Sequence, residues 1–253
     1  MNIEIAIKKA CQELKNNKIG SALLDSELLL SKVIKKDRKF ILLNLDKELN
    51  RNDQNIFKDL ILKRSRGKPL AYLTGTKSFW KYDFKVNEKV LIPRPDSEII
   101  IEQVLNIYKN KNKLNFLEVG IGSGCIALSI LKEKKSFLAT GVDLSQYCIE
   151  ICRYNANKLG VGNRIKLLKS DVDNLIFRKY DLIISNPPYI KKLDISKLDK
   201  DVKDYEPKLA LDGGLEGLSV IRKVIKKSSE LIKTNGKLIL EIGHDQKEIV
   251  KKM

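Results

Sequence analysis

At 253 residues and 43% apolar content, the chain can bury a sizeable core, as one large domain or two smaller ones, and is too apolar for intrinsic disorder. Four cysteines without a CxxC pair and a single histidine argue against a zinc site or a disulfide framework, and no apolar run reaches the roughly 18 to 20 residues of a membrane span. The formal charge of +17 rests on 40 lysines and nine arginines spread along the chain without a basic stripe, which predicts a solvated surface and no dedicated nucleic-acid face.

The first twenty residues, MNIEIAIKKACQELKNNKIG, alternate charged and apolar side chains and lack the uninterrupted apolar core of a signal peptide, so a cytoplasmic protein is expected. Residues 1–74 show helical periodicity with polar breaks. Leu23, Leu24, Glu27, Leu28 and Leu30 fall in one amphipathic segment, Phe40 to Leu43 open another, and Ile56, Leu60 and Ile61 mark a third that ends near Gly67-Lys68-Pro69. Few groups there suit chemistry, so this stretch reads as a helical recognition domain. Residues 75–95 alternate aromatic and β-branched with polar residues around Asn87-Glu88, and Pro93 and Pro95 close the run. That pattern predicts a hairpin acting as a linker between domains. Asp96 or Ser97 is then placed to cap a helix over Ile99–Leu105, with Glu98 in its first turn.

From residue 96 to 253, short apolar strands alternate with helices: NFLEVG, a helix from Cys125, FLATGVD, a helix from Tyr147 to Leu159, IKLLKSD, DLIIS and GKLILEIG. The expected fold class is α/β, a doubly wound, mostly parallel sheet with helices on both faces. Ligands in such sheets lie beyond the carboxyl ends of the strands. The residues following each strand therefore carry the most weight.

After the first strand comes EVGIGSGC, where Gly120, Gly122 and Gly124 let the backbone turn sharply and approach a ligand, and the next helix offers free N–H groups. The same run also fits the dinucleotide pattern GxGxxA from Gly122 to Ala127. Asp143 ends the second strand about 20 residues on, where a carboxylate can accept both ribose hydroxyls; it equally suits a cap of the following helix. Asp171 ends the third, suited to an adenine amino group or to an ordinary turn. Together these point to an adenosine ligand without separating NAD from S-adenosyl-L-methionine.

The fourth strand runs into Ser185-Asn186-Pro187-Pro188-Tyr189-Ile190. Asn-Pro is a strong turn dipeptide, but here it follows a strand whose neighbours carry the glycine loop and Asp143. An Asn side chain offers a carbonyl acceptor, and a proline adds a backbone carbonyl with no competing N–H. Two close acceptors suit an incoming NH2 group, and the Tyr189 ring can stack on a planar amide or base. Nothing in that set serves hydride transfer.

With these residues the chain resembles class I S-adenosyl-L-methionine-dependent methyltransferases that act on amino nitrogens through an NPPY motif. GKPLAYLTGTKSFW, VLIPRPDSE, LEVGIGSGCIALS, SNPPYI and YEPKLALDGG narrow the resemblance to the peptide chain release factor glutamine methyltransferases, over Asp25 to the chain end. The resemblance implies that Gly120, Ile121, Gly122, Ser123 and Gly124 surround the cofactor's methionine and ribose, with Glu118 beneath, that Asp143 holds the ribose, and that Asp171 and Val172 border the adenine. It implies that Asn186 lies between cofactor and substrate, and that Asn186, Pro187, Pro188 and Tyr189 grip the glutamine amide of the GGQ loop. Family members often have an aromatic residue where Val172 stands. They also continue into two further strands, so an open sheet edge is expected after the fifth. A monomer is expected. The competing readings are a methyltransferase acting on adenine or guanine in nucleic acid and a non-catalytic relative. His244 reads as incidental, while Arg94, Lys191, Lys192 and Lys197 are candidates for touching a protein partner.

Overall fold

The computed structural model describes residues 1–176 and 179–253, which divide into two compact units. The first comprises Met1–Gly75 with Lys200–Tyr205, the second Thr76–Asp199 with Glu206–Met253. Among the described residues, no helix is long and apolar enough to cross a membrane.

The first unit is helical: α1 (Ile3–Asn16), α2 (Ala22–Ile34), α3 (Arg38–Leu43), α4 (Arg51–Ser65) and α5 (Leu70–Thr74). Side chains cap three of them, Asn2 accepting from the Ile5 N–H, Asp37 from Phe40 and Asn50 from Asp53. Ile3, Leu14, Leu29, Leu30, Ile41, Phe57 and Ile61 form the core. Leu23 and Leu24, two apolar residues of the amphipathic segment that forms α2, are exposed. The helix instead turns Asp25, Ser26 and Glu27 inward. Asp25 pairs with Arg64 at 2.7 Å and Glu27 with Arg38 at 2.6 Å. Apolar periodicity cannot anticipate a buried face built partly from ion pairs, because such faces read as polar.

The second unit opens with an antiparallel hairpin, β1 (Thr76–Phe79) and β2 (Tyr82–Lys85). Its turn is Trp80-Lys81, with Trp80 at φ 56°, whereas the sequence suggested Asn87-Glu88. A tryptophan in the left-handed region carries none of the Gly or Asn signal that marks two-residue turns. Asn87 instead makes a separate turn, its side chain accepting from the Lys89 N–H and its carbonyl from the Val90 N–H. Phe79 and Phe84 meet edge to face at a centroid distance of 6.1 Å and join the main core of this unit.

There follow α6 (Glu98–Ile107), β3 (Asn115–Val119), α7 (Cys125–Glu133), β4 (Leu138–Asp143), α8 (Gln146–Lys158), β5 (Ile165–Lys169) and β6 (Tyr180–Ser185). The short α9 (Lys200–Lys203) belongs to the first unit, and α10 (Ser219–Leu231), β7 (Ile232–Leu240) and α11 (Lys247–Val250) complete the second. The five long strands are all parallel, in the order β5-β4-β3-β6-β7. Alternation sends Phe116, Leu182 and Ile184 to one face, against α6, α7 and α8, and Leu117, Val119 and Ile183 to the other, against Val224 and Leu231 of α10. Chain order runs outward from β3 in both directions, so the β3/β6 boundary is the point where a doubly wound sheet opens a crevice. Val119 pairs with both Val142 and Ser185, and Ser185 with Leu240, so four strands end at one level.

Candidate active site

The loop after β3 folds back over β4: Gly120 and Ile121 both donate to the Val142 carbonyl, and Gly122 donates to Asp143 Oδ2 at 3.0 Å. Asp143 Oδ1 accepts from the Ser145 N–H, while Ser145 itself caps α8. Asp143 thus ties the glycine loop to the end of β4, and burial raises its pKa. Gly124 caps α7 at φ 81°, where a Cβ would lie 2.6 Å from Cys152 Sγ and 2.8 Å from Leu128 Cδ1. With no side chain at that cap, Glu118 on β3 supplies one. Its Oε2 accepts from the Ala127 N–H at 2.8 Å. Glu118 is wholly buried, and that burial pushes its pKa up to about 8, helped by the nearby Asp143 charge and opposed by the Ala127 bond.

A cavity of about 270 Å³ opens at these strand ends. Gly120, Ile121, Gly122 and Ser123 line it from β3, Asp143 from β4, Asp171 and Val172 from β5, and Asn186, Pro187 and Pro188 from β6. Gly124 and Tyr189 are not on its wall. Gly124 lies behind the loop, and the Tyr189 hydroxyl donates to Glu241 Oε1 at 3.2 Å. Burial, with Glu241 alongside, pushes the Tyr189 pKa up to about 12. Asp171 accepts from the Asp173 N–H and so also closes a short turn. Among the described residues no donor takes up Asn186 Oδ1 or the Pro187 carbonyl, while Asn186 Nδ2 donates to Ser97 Oγ at 3.0 Å.

The cavity pairs an apolar wall of Ile121, Val142, Leu144 and Val172 with the acidic side chains of Glu118, Asp143 and Asp171. That apolar wall with its set of acceptors fits a flat heterocycle, ribose hydroxyls and cationic groups, the chemistry of S-adenosyl-L-methionine.

Sequence comparison assigns this architecture. The family model of the PrmC N-terminal domain matches residues 6–75, and that of the methyltransferase small domain matches residues 96–202. The release factor glutamine methyltransferase of Clostridium acetobutylicum is 39% identical over 249 residues, covering 97% of this chain and 87% of the relative. That of Clostridium botulinum is 40% identical, covering 92% and 84%. The Fusobacterium nucleatum enzyme of the same name is 34% identical, covering 100% and 72%. The chain belongs to the release factor glutamine methyltransferase family. It is therefore an S-adenosyl-L-methionine-dependent methyltransferase.

Within this family member, several residues that frame the site escaped the reading of strand ends. Glu206 accepts from the Ile92 N–H at 3.1 Å and pairs with Arg94, which lines the cavity. Asn155 donates to the Ser123 and Lys85 carbonyls, joining the glycine loop to the hairpin. Gln246 donates to the Tyr189 and Gly217 carbonyls, and Ile190 exchanges hydrogen bonds with Leu211 and Gly213, so the LDGG run braces the NPPY turn. The signal for Glu206 and the LDGG run was the YEPKLALDGG motif, whose role only the fold reveals. Lys191 pairs with Asp245 and Lys197 with Asp194, so neither lysine has an uncommitted charge, and His244 is exposed.

Proposed function

We propose that this chain methylates the side-chain amide nitrogen (N5) of the glutamine in the GGQ loop of peptide chain release factors, supporting translation termination in the cytoplasm. One observation carries the reading: Asn186 and Pro187, whose Oδ1 and carbonyl oxygen take up no donor among the described residues, line a cavity walled by the glycine loop and Asp143.

Gly120, Ile121, Gly122, Ser123 and Gly124 shape the cofactor's cradle in this reading, Asp143 takes the ribose, and Asp171 and Val172 bound the adenine. When bound, S-adenosyl-L-methionine supplies an electrophilic methyl group. An amide nitrogen is a poor nucleophile because its lone pair is delocalised, so alignment contributes most. Asn186 Oδ1 and the Pro187 carbonyl accept the two N–H groups of the glutamine amide and turn its nitrogen toward the methyl donor. As positive character grows on that nitrogen, the two acceptors bind it more strongly than in the ground state. Pro188 walls the amide, Tyr189 anchors the turn through its bond to Glu241, and the N-terminal helical region 1–74 serves substrate recognition, joined through residues 75–95 to the catalytic region 96–253. The enzyme works as a monomer and uses no dedicated nucleic-acid surface.

The test compares the chain with Asn186→Ala. Loss of one preorganised acceptor costs about 2 to 4 kcal/mol, or roughly 30- to 10³-fold in kcat. Calorimetric affinity for S-adenosyl-L-methionine should stay close to that of the unsubstituted chain while turnover on release factor collapses. Near-normal turnover would sink the role of Asn186.

A further inference from the structure

We infer that Glu241 and Ser97 are positioning residues that set which end of the Asn186 amide faces the cavity. The inference rests on the reading of Asn186 as an acceptor for the substrate amide. Asn186 Nδ2 donates to Ser97 Oγ at 3.0 Å, Ser97 Oγ donates to Glu241 Oε2 at 2.5 Å, and the Tyr189 hydroxyl donates to Glu241 Oε1 at 3.2 Å. Glu241 directly follows β7, level with Asn186 after β6, because Ser185 and Leu240 are register partners.

The polarity of this chain of bonds follows from proton counting. An asparagine amide has nearly the same shape in both orientations, so only hydrogen bonds choose between them. A carboxylate has no proton to give, and a hydroxyl has one. Ser97 commits its proton to Glu241 and can only accept from Asn186. The asparagine must then present NH2 to Ser97 and turn its oxygen toward the cavity. The opposite orientation would set an NH2 against the N–H groups of an incoming amide, donor against donor.

Two further observations fit this assignment. Ser97 is 2% exposed, so water does not compete for its hydroxyl. It also stands at the start of α6, where a serine ordinarily caps the helix, yet its side chain makes no capping bond there. The hydroxyl is used across the sheet instead of along its own helix.

The test uses Glu241→Gln, Ser97→Ala and Ser97→Thr in the full chain. Glutamine keeps the shape of Glu241 but can donate as well as accept, so it releases the polarity of the relay. Expected are losses of kcat on release factor of about 10- to 100-fold for Glu241→Gln and Ser97→Ala, with both KM values within about threefold and Ser97→Thr close to the parent. A change confined to KM, or Ser97→Thr as impaired as Ser97→Ala, would overturn the inference. So would unimpaired turnover in both Glu241→Gln and Ser97→Ala. Should Glu241→Gln not fold, the Ser97 pair decides alone. The second readout is independent of turnover: the Asn186 side-chain amide resonances in nitrogen-15 spectra. They should shift and exchange faster with solvent in Glu241→Gln and Ser97→Ala, and unchanged resonances refute the relay. If the parent chain fails to methylate release factor, the substrate reading falls while these resonances still decide the relay.

Discussion

Replacing Glu118 by Gln should flatten the pH dependence of stability in the second unit. Glu118 is 2% exposed, and its carboxyl is raised from an ordinary 4.5 to about 8, chiefly by burial. Between those values the folded chain holds a proton that the unfolded chain has released. The stabilisation from a neutral buried carboxyl is therefore complete below pH 4.5 and is lost as pH rises toward 8. The slope is about 1.4 kcal/mol per pH unit and falls off as pH nears 8, so the difference between parent and variant should move by about 3.5 kcal/mol from pH 5 to pH 8. Gln keeps an oxygen for the Ala127 N–H and has no proton to lose. The assay is urea unfolding at pH 5, 6, 7 and 8, followed by the fluorescence of Trp80, the one tryptophan, which packs against the core of this unit. Parallel stability profiles for the two proteins would show that Glu118 is ionised throughout and refute the reasoning.

Gly124→Ala should lower stability by about 2 to 4 kcal/mol, combining a left-handed alanine with overpacking against Cys152 and Leu128. Adding Cys152→Ala should recover only the share of the loss due to Cys152, which denaturant midpoints of the single and double variants, set against Cys152→Ala alone, will separate. In the first unit, Arg64→Leu leaves the carboxylate of Asp25 buried without its partner and should cost about 3 to 5 kcal/mol. Far-ultraviolet circular dichroism during unfolding measures that loss.

The parallel sheet was readable because its strands are short apolar runs separated by helical periods, and the site because ligands gather at strand ends. The NPPY turn, the glycine loop and Asp143 all lie where that rule places them. What escaped belongs to long-range pairing. Nothing local in the sequence links Ser97 to Glu241, 144 residues apart, or Ile92 to Glu206, 114 residues apart. Ser97 was read as a helix cap because capping is its commonest local use, and the fold diverts it. Likewise nothing local marks Asp25 and Glu27 as buried, because their partners Arg64 and Arg38 arrive from other helices. The hairpin turn at Trp80-Lys81 was hidden because tertiary packing holds a residue type that turn chemistry does not favour.

Whether the two acceptors after β6 hold a glutamine amide for methyl transfer is decided by incubation with methyl-labelled S-adenosyl-L-methionine, release factor, its GGQ-to-GGA variant and total RNA as competitor. Label is expected on the GGQ glutamine and none on the variant or the RNA. Label in RNA, or undiminished label in the glutamine-less variant, would contradict that role for the two acceptors.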